Sequence, residues 1–231
     1  MSAIPEQFDF DELERPLVIL IGGGSGVGKS TVATQLAHSL GIPRVSSTDF
    51  IRAVLRSVVP DTIAPELSRS SFELDQGVSH NGATPHAEFE RQAQQVLVGV
   101  RAMIERAVLE GTPFILEGVH LLPGLVDLHD VPNSVVVYVV LTVPQSDEHS
   151  RRFTLRAEAS GRAAGRYDEG LRAIRELQQH IVAAAHRSGV AVLANQQLDT
   201  TVRRMTEMVF GAVDDVLPRR GVQPARGDVA A

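Results

Sequence analysis

Gly23-Gly24-Ser25-Gly26-Val27-Gly28-Lys29-Ser30 lies between an apolar run, Leu17-Val18-Ile19-Leu20-Ile21, and a stretch in which Val32, Ala33, Leu36, Ala37 and Leu40 recur at helical spacing up to Gly41. It fits the pattern G-x-x-x-x-G-K-S/T in full, in the strand, loop and helix context that the pattern requires. Glycines there let backbone N–H groups close on an anion that side chains would hold at a distance. Residues 23 to 28 are therefore expected to cradle a polyphosphate. Lys29 is expected to reach the β- and γ-phosphate oxygens, Ser30 to ligate a bridging Mg²⁺, and Thr31 to hydrogen-bond the α-phosphate. Of the 22 basic residues 21 are arginine, and the single lysine is Lys29. A compact, flexible ammonium stands at the one position where a planar fork would serve less well.

At 231 residues and 43% hydrophobic content the chain can bury the core of one α/β domain. A formal charge of −6 argues against a general nucleic-acid or membrane-surface binder, so an anionic ligand must be held by local arginine clusters. The absence of cysteine excludes disulfides and thiolate metal sites. Residues 1–15 are acidic and lack an apolar stretch, so no signal peptide is read, and no run approaches a membrane span. The expectation is a cytoplasmic enzyme with a loosely packed leader (1–15), one domain (16–217) and a disordered tail (218–231).

Further along, Arg44–Ser47, Pro113–Leu116, Val135–Thr142 and Val190–Leu193 read as strands. The nearly continuous β-branched run at 135–142 suits a parallel strand buried on both faces. Helices are expected over Phe50–Val59, His86–Glu110, Gln145–Ala159, Asp168–Ser188 and from Asp199 or Thr200 to Val216. Thr48 or Asp49 is the expected cap of the first of these. Ile51, Val54, Leu55 and Val58 are expected to share its buried face, with Arg52 and Arg56 together on another. Residues 60–86 read as an irregular excursion with a short helical turn near Ser70. The sum is a five-stranded parallel sheet with helices on both faces, placing Lys29, Asp49, Glu117 and Asn195 at the carboxyl ends of four strands, facing one cleft.

Asp49 reads as the group that binds an acceptor hydroxyl or holds a magnesium-bound water, and Arg52 and Arg56 as a fork for an anionic acceptor. Glu117 is read as acting on Mg²⁺ through water or as a structural hydrogen-bonding acid, and nearby His120 as a site residue or a packed loop residue. Seven arginines fall between Arg151 and Arg175 in a segment broken by Gly161 and Gly165, which reads as a lid over about 145–170. Arg152, Arg156, Arg162 and Arg166 are its candidate phosphate contacts. Arg172 and Arg175 are expected to be a solvated face.

Gly22 to Thr31, Ser47-Thr48-Asp49-Phe50-Ile51-Arg52 and above all Leu116-Glu117-Gly118-Val119-His120-Leu121-Leu122-Pro123-Gly124 resemble the 2-phosphoglycerate kinase family. The likeness runs from about Leu17 to Val213 and includes Arg166-Tyr167 and the Asn195 to Val202 stretch. It implies a P-loop kinase fold and transfer of the ATP γ-phosphoryl to the hydroxyl of 2-phosphoglycerate, with Mg²⁺, giving 2,3-bisphosphoglycerate and ADP. It further implies an acceptor site drawing on Arg52, Arg56 and Arg69 with Ser70 and Ser71, and a bare kinase domain without the N-terminal extension of some longer relatives. A kinase of another small acceptor and an ATP-dependent regulatory switch are the competing readings. The partner is expected to be a small phosphorylated metabolite, and helix 86–110 either supplies a dimer face or covers the sheet.

Overall fold

The computed structural model describes residues 10, 13–71, 86–126, 133–152 and 165–217, with 165–169 as backbone only. Five strands, β1 (Leu17–Gly23), β2 (Arg44–Ser47), β3 (Phe114–Glu117), β4 (Val135–Thr142) and β5 (Ala191–Ala194), pair in parallel in the order β2-β3-β1-β4-β5. β1 is buried at every position because it lies mid-sheet with helices on both sides. Its alternate residues serve two cores. Val18 and Leu20 pack with α2 (Thr48–Val58), α3 (Ala87–Glu110) and α4 (Gly165–Arg187), while Leu17, Ile19 and Ile21 pack with α1 (Lys29–Leu40) and α5 (Leu198–Asp214). β2 and β3 flank β1 on one side and β4 and β5 on the other, so the carboxyl ends open a crevice above β1.

Each strand lies within about two residues of its sequence-based bounds, and Gly41 and Gly111 end α1 and α3 in left-handed geometry. The helical turn expected near Ser70 is a 3₁₀ turn at Pro65–Ser68. A helix begins at Ser146 and runs through Arg152; the rest of that expected element, like the tail, lies outside the described residues. Among the described residues no helix is long and apolar enough to cross a membrane.

Three local expectations are corrected. Ser47 caps α2, in extended geometry, its hydroxyl accepting from the Phe50 N–H at 3.4 Å. Thr48 and Asp49 are already helical. Of the four apolar positions on α2, Ile51 is buried and Leu55 partly so, whereas Val54 and Val58 are exposed with Phe50; only the edge of α2 that faces α3 is covered. Phe10 is not part of a loose leader. It is buried, with its ring centroid 5.8 Å from that of Phe210 on α5, and Leu13 packs on the same core. Phe10→Ala is expected to lower unfolding free energy by about 3 kcal/mol in urea titrations; an unchanged midpoint would return the segment to a frayed leader.

Candidate active site

The glycine loop is held from outside by polar side chains that arrive from the far half of the chain. His149, fully buried, donates from Nε2 to Ser25 O at 2.8 Å. Burial pushes its imidazole below the usual range, so it stays neutral, and the carbonyl requires the proton on Nε2. Asn195 donates from Nδ2 to Val27 O (2.8 Å) while its Oδ1 accepts from Thr201 Oγ1 (2.9 Å). Arg152 spans Asn195 O (2.7 Å), Gln196 O (3.4 Å) and Val27 O (3.5 Å), with Nε on Glu148 (2.9 Å). Lys29 Nζ folds back onto Gly24 O at 2.8 Å. Gly26, Gly28, Lys29, Ser30, Thr31, Arg152, Asn195 and Leu198 line a cleft of about 550 Å³, within the size range of small-molecule sites.

Glu117, at the end of β3, adjoins this cleft through Ser30. The strand is buried at all four positions, and Glu117 Oε1 accepts from Ser30 Oγ at 2.8 Å. The next residue must be glycine. A Cβ on Gly118 would lie 1.8 Å from Thr48 Oγ1 and 2.7 Å from Thr48 Cβ, so β3 and the start of α2 touch at this point.

The start of α2 opens the second half of the site. Asp49 is exposed, with Oδ1 3.5 Å from Arg52 Nε. Arg52 turns its Nη1 to Leu67 O (2.9 Å) and Arg69 O (3.2 Å), tying α2 to the 3₁₀ turn. Arg69 pairs with Glu88 at 2.6 Å, and Arg56 is exposed. Ser70 is half-buried, whereas Ser71 and His120 are buried. His120 contacts Thr48, Gln92 and Ser71, and burial, with opposing help from Asp49 and further lowering from Arg52 and Lys29, pushes its imidazole to about 4.

The structure thus brings Lys29, Ser30, Glu117, Arg152 and Asn195 to one cleft and sets Asp49, Arg52, Arg69, Ser70 and Ser71 around the neighbouring helix start. Arg156 and Arg162 and the side chain of Arg166 lie outside the described residues, and with them most of the expected lid. Arg172 is a solvated partner of Glu176, as expected. Arg175 is not. Its fork takes Val143 O and Pro144 O, each at 2.9 Å, and fastens the exit of β4. Sequence reasoning missed His149, Gln92 and Gln178 and gave Thr48 only as a cap; Gln178 brackets both the N–H and the carbonyl of Val143.

The parallel sheet, the glycine loop and the acid ending β3 are those of a P-loop kinase, and a family model described as an AAA domain matches residues 19–173. Proteins named 2-phosphoglycerate kinase match most of the chain: 38% identity over 205 residues with that of Methanococcus maripaludis, 35% over 209 with Methanocaldococcus jannaschii and 35% over 218 with Pyrococcus furiosus. These alignments cover 84%, 90% and 92% of this chain and 64%, 68% and 70% of the relatives. The chain belongs to the 2-phosphoglycerate kinase family and spans about two thirds of the length of these relatives.

Two outcomes follow from the geometry. Gly118→Ala should lower turnover by at least about 10²-fold, because displacing this contact misplaces both cleft halves. Adding Thr48→Ala should restore only part, since the Thr48 Cβ still lies 2.7 Å from the new methyl; a fully active single variant would contradict the contact. Second, the fold holds His120 neutral, whereas the unfolded chain takes up that proton near pH 6.5. Its contribution is present above that pH and lost as pH falls toward 4. Denaturation midpoints should decline over this interval, less steeply in His120→Gln, and equal slopes would refute a buried neutral His120.

Proposed function

We propose that this protein is an ATP-dependent small-molecule kinase that phosphorylates the hydroxyl of 2-phosphoglycerate, giving 2,3-bisphosphoglycerate and ADP. The observation that carries this reading is the Ser30–Glu117 hydrogen bond beside the Gly118–Thr48 contact, which joins a polyphosphate loop to an acid- and arginine-bearing helix start. The membership of the chain in its family supports the choice of acceptor.

In this reading backbone N–H groups of residues 23 to 28 and Thr31 hold the ATP phosphates, and Lys29 turns from Gly24 O to the β- and γ-oxygens. The hydroxyl of Ser30 and the carboxylate of Glu117 are hard oxygen donors 2.8 Å apart, a set that fits Mg²⁺ with Glu117 acting through water. When bound, that ion would neutralise charge on the β- and γ-phosphates. Asp49, exposed at the start of α2, orients the acceptor hydroxyl and takes its proton as the bond from oxygen to the γ-phosphorus forms and the bond to the ADP oxygen breaks. Arg56 and Arg69 meet the acceptor's phosphate and carboxylate beside Ser70 and Ser71, Arg52 holds the surrounding backbone, and His120 holds the Thr48 and Ser71 side chains. Arg152 meets the phosphates from its fixed place in the cleft wall, Arg156, Arg162 and Arg166 close over them and exclude water, and Asn195 keeps the loop in shape.

An ATP-coupled assay across phosphorylated hydroxy acids, nucleoside monophosphates and sugars tests the assignment. Turnover is expected with 2-phosphoglycerate and is expected to fall by about 10²–10³-fold in Lys29→Ala and in Asp49→Asn. No turnover of 2-phosphoglycerate beside clear turnover of another acceptor would reassign the substrate. Full activity in either variant would sink the roles given to these two residues.

A further inference from the structure

We propose that Gln92, a residue of α3 with no access to the cleft, is a positioning residue that holds the acceptor segment 66–71 and, through His120, fixes Thr48 at the start of α2. The inference deepens the function proposed above in naming this segment as the acceptor side; the hydrogen-bonded chain itself is independent of which acceptor is used.

The chain can be oriented in only one direction. Gln92 is fully buried, and its Nε2 faces Glu66 O and Arg69 O, the latter at 2.9 Å. Backbone carbonyls only accept, so this end of the amide is the NH₂ group and both of its protons are used. Oε1 must then accept, and it lies 3.0 Å from Ser71 Oγ and 3.1 Å from His120 Nε2. His120 therefore carries its proton on Nε2. Its Nδ1 is left as a lone pair, and the Thr48 hydroxyl donates to it at 2.8 Å. Every link follows from the two carbonyls at 66 and 69.

These carbonyls belong to the segment that α2 also grips, because Arg52 donates to Leu67 O and Arg69 O. Arg69 O thus receives both the Arg52 guanidinium and the Gln92 amide. At the other end of the chain Thr48 immediately precedes Asp49 and abuts Gly118. Gln92 consequently sets the distance between Asp49, which orients the acceptor hydroxyl, and Arg69, which meets its charge, while touching only the backbone carbonyl of the latter. An apolar side chain of equal shape would leave Arg69 O with the Arg52 guanidinium, Glu66 O with the Arg69 N–H at 3.3 Å and the His120 N–H with Ser71 Oγ at 3.4 Å, removing the one group that ties all three together, and a carboxylate would place an acceptor against two acceptors.

The test combines kinetics with two structural readouts on the full chain. In Gln92→Leu the acceptor KM should rise about tenfold with the ATP KM within about twofold, the split expected when only acceptor positioning is lost. Amide hydrogen exchange should quicken about tenfold or more at 66–71 and stay unchanged at 23–30. His120→Gln, which keeps a donor near Nε2, should preserve more of the 66–71 protection than His120→Asn, which keeps only an acceptor near Nδ1. Long-range ¹H–¹⁵N spectra of the wild type should show His120 neutral with the proton on Nε2. A proton on Nδ1 overturns the chain even if Gln92→Leu fails to fold, as does unchanged exchange at 66–71. A fall in apparent kcat that tracks lost folded protein, with both KM values unchanged, would reduce Gln92 to a purely structural role. If the wild type does not turn over 2-phosphoglycerate, the proposed acceptor is wrong, and exchange and imidazole spectra still decide this proposal.

Discussion

The register of β3 between its two neighbours is the constraint on which the carboxyl edge of the sheet depends. Glu117 pairs with Ile21 on one side and with Ser47 on the other, and the Gly118 N–H continues the ladder to Ile21 O at 3.0 Å. Side chains on a strand alternate with a period of two, so a slip of one residue would turn Glu117 to the opposite face and break its bond to Ser30. The same slip would move Gly118 away from Thr48, where no other residue fits. Phe114 and Leu116 on one core and Ile115 on the other forbid it, because each would be driven onto the wrong face. Apolar burial along three residues thereby fixes a polar contact at the fourth.

From that fixed edge the two halves of the site are braced in different ways. The loop that follows β1 is short of side chains, so its shape is imposed through its carbonyls: Ser25 O by His149, Val27 O by Asn195 and Arg152, Gly24 O by Lys29. These donors leave the loop N–H groups for an anion, which is the polarity a phosphate cradle needs. The segment after α2 is braced through carbonyls as well, by Arg52 and Gln92. In both halves the protein takes up backbone acceptors and turns its remaining donors and charges toward the cleft.

The strand and helix pattern was legible because burial on two faces leaves a strong mark: continuous apolar runs for β1 and β4, a 3.6-residue period for α3. The glycine loop, Glu117 and Asn195 were legible from their places at strand ends. Other features were written too faintly for one sequence. The cap of α2 was placed one or two residues late, at Thr48 or Asp49, because Ser47, Thr48 and Asp49 all suit the role, and the contact of Thr48 with Gly118 and His120 removes Thr48 from contention. Val54 and Val58 looked buried because a period reveals a face, not whether anything covers it. Gln92 did leave a trace: it occupies a position in the buried stripe of Phe89, Ala93, Val96, Leu97 and Val100, and a polar residue there must find partners. His149 left none, since its partner is a backbone carbonyl 124 residues away.

The structure also gives the single lysine a sharper meaning. Three arginines whose surroundings are described, Arg52, Arg152 and Arg175, each bridge two or more backbone carbonyls, and each joins segments distant in sequence. A planar, permanently charged fork with several donors suits that task, because it satisfies neighbouring carbonyls in one fixed geometry. Lys29 instead bends back over its own loop to the carbonyl of Gly24, five residues earlier. An ammonium on a flexible stem can leave that carbonyl for a phosphate oxygen by rotating a few bonds, whereas a staple that let go would release the backbone it holds. These three arginines thus supply fixed support, and the cation that turns to the ATP phosphates in the proposed reaction is the one built as lysine.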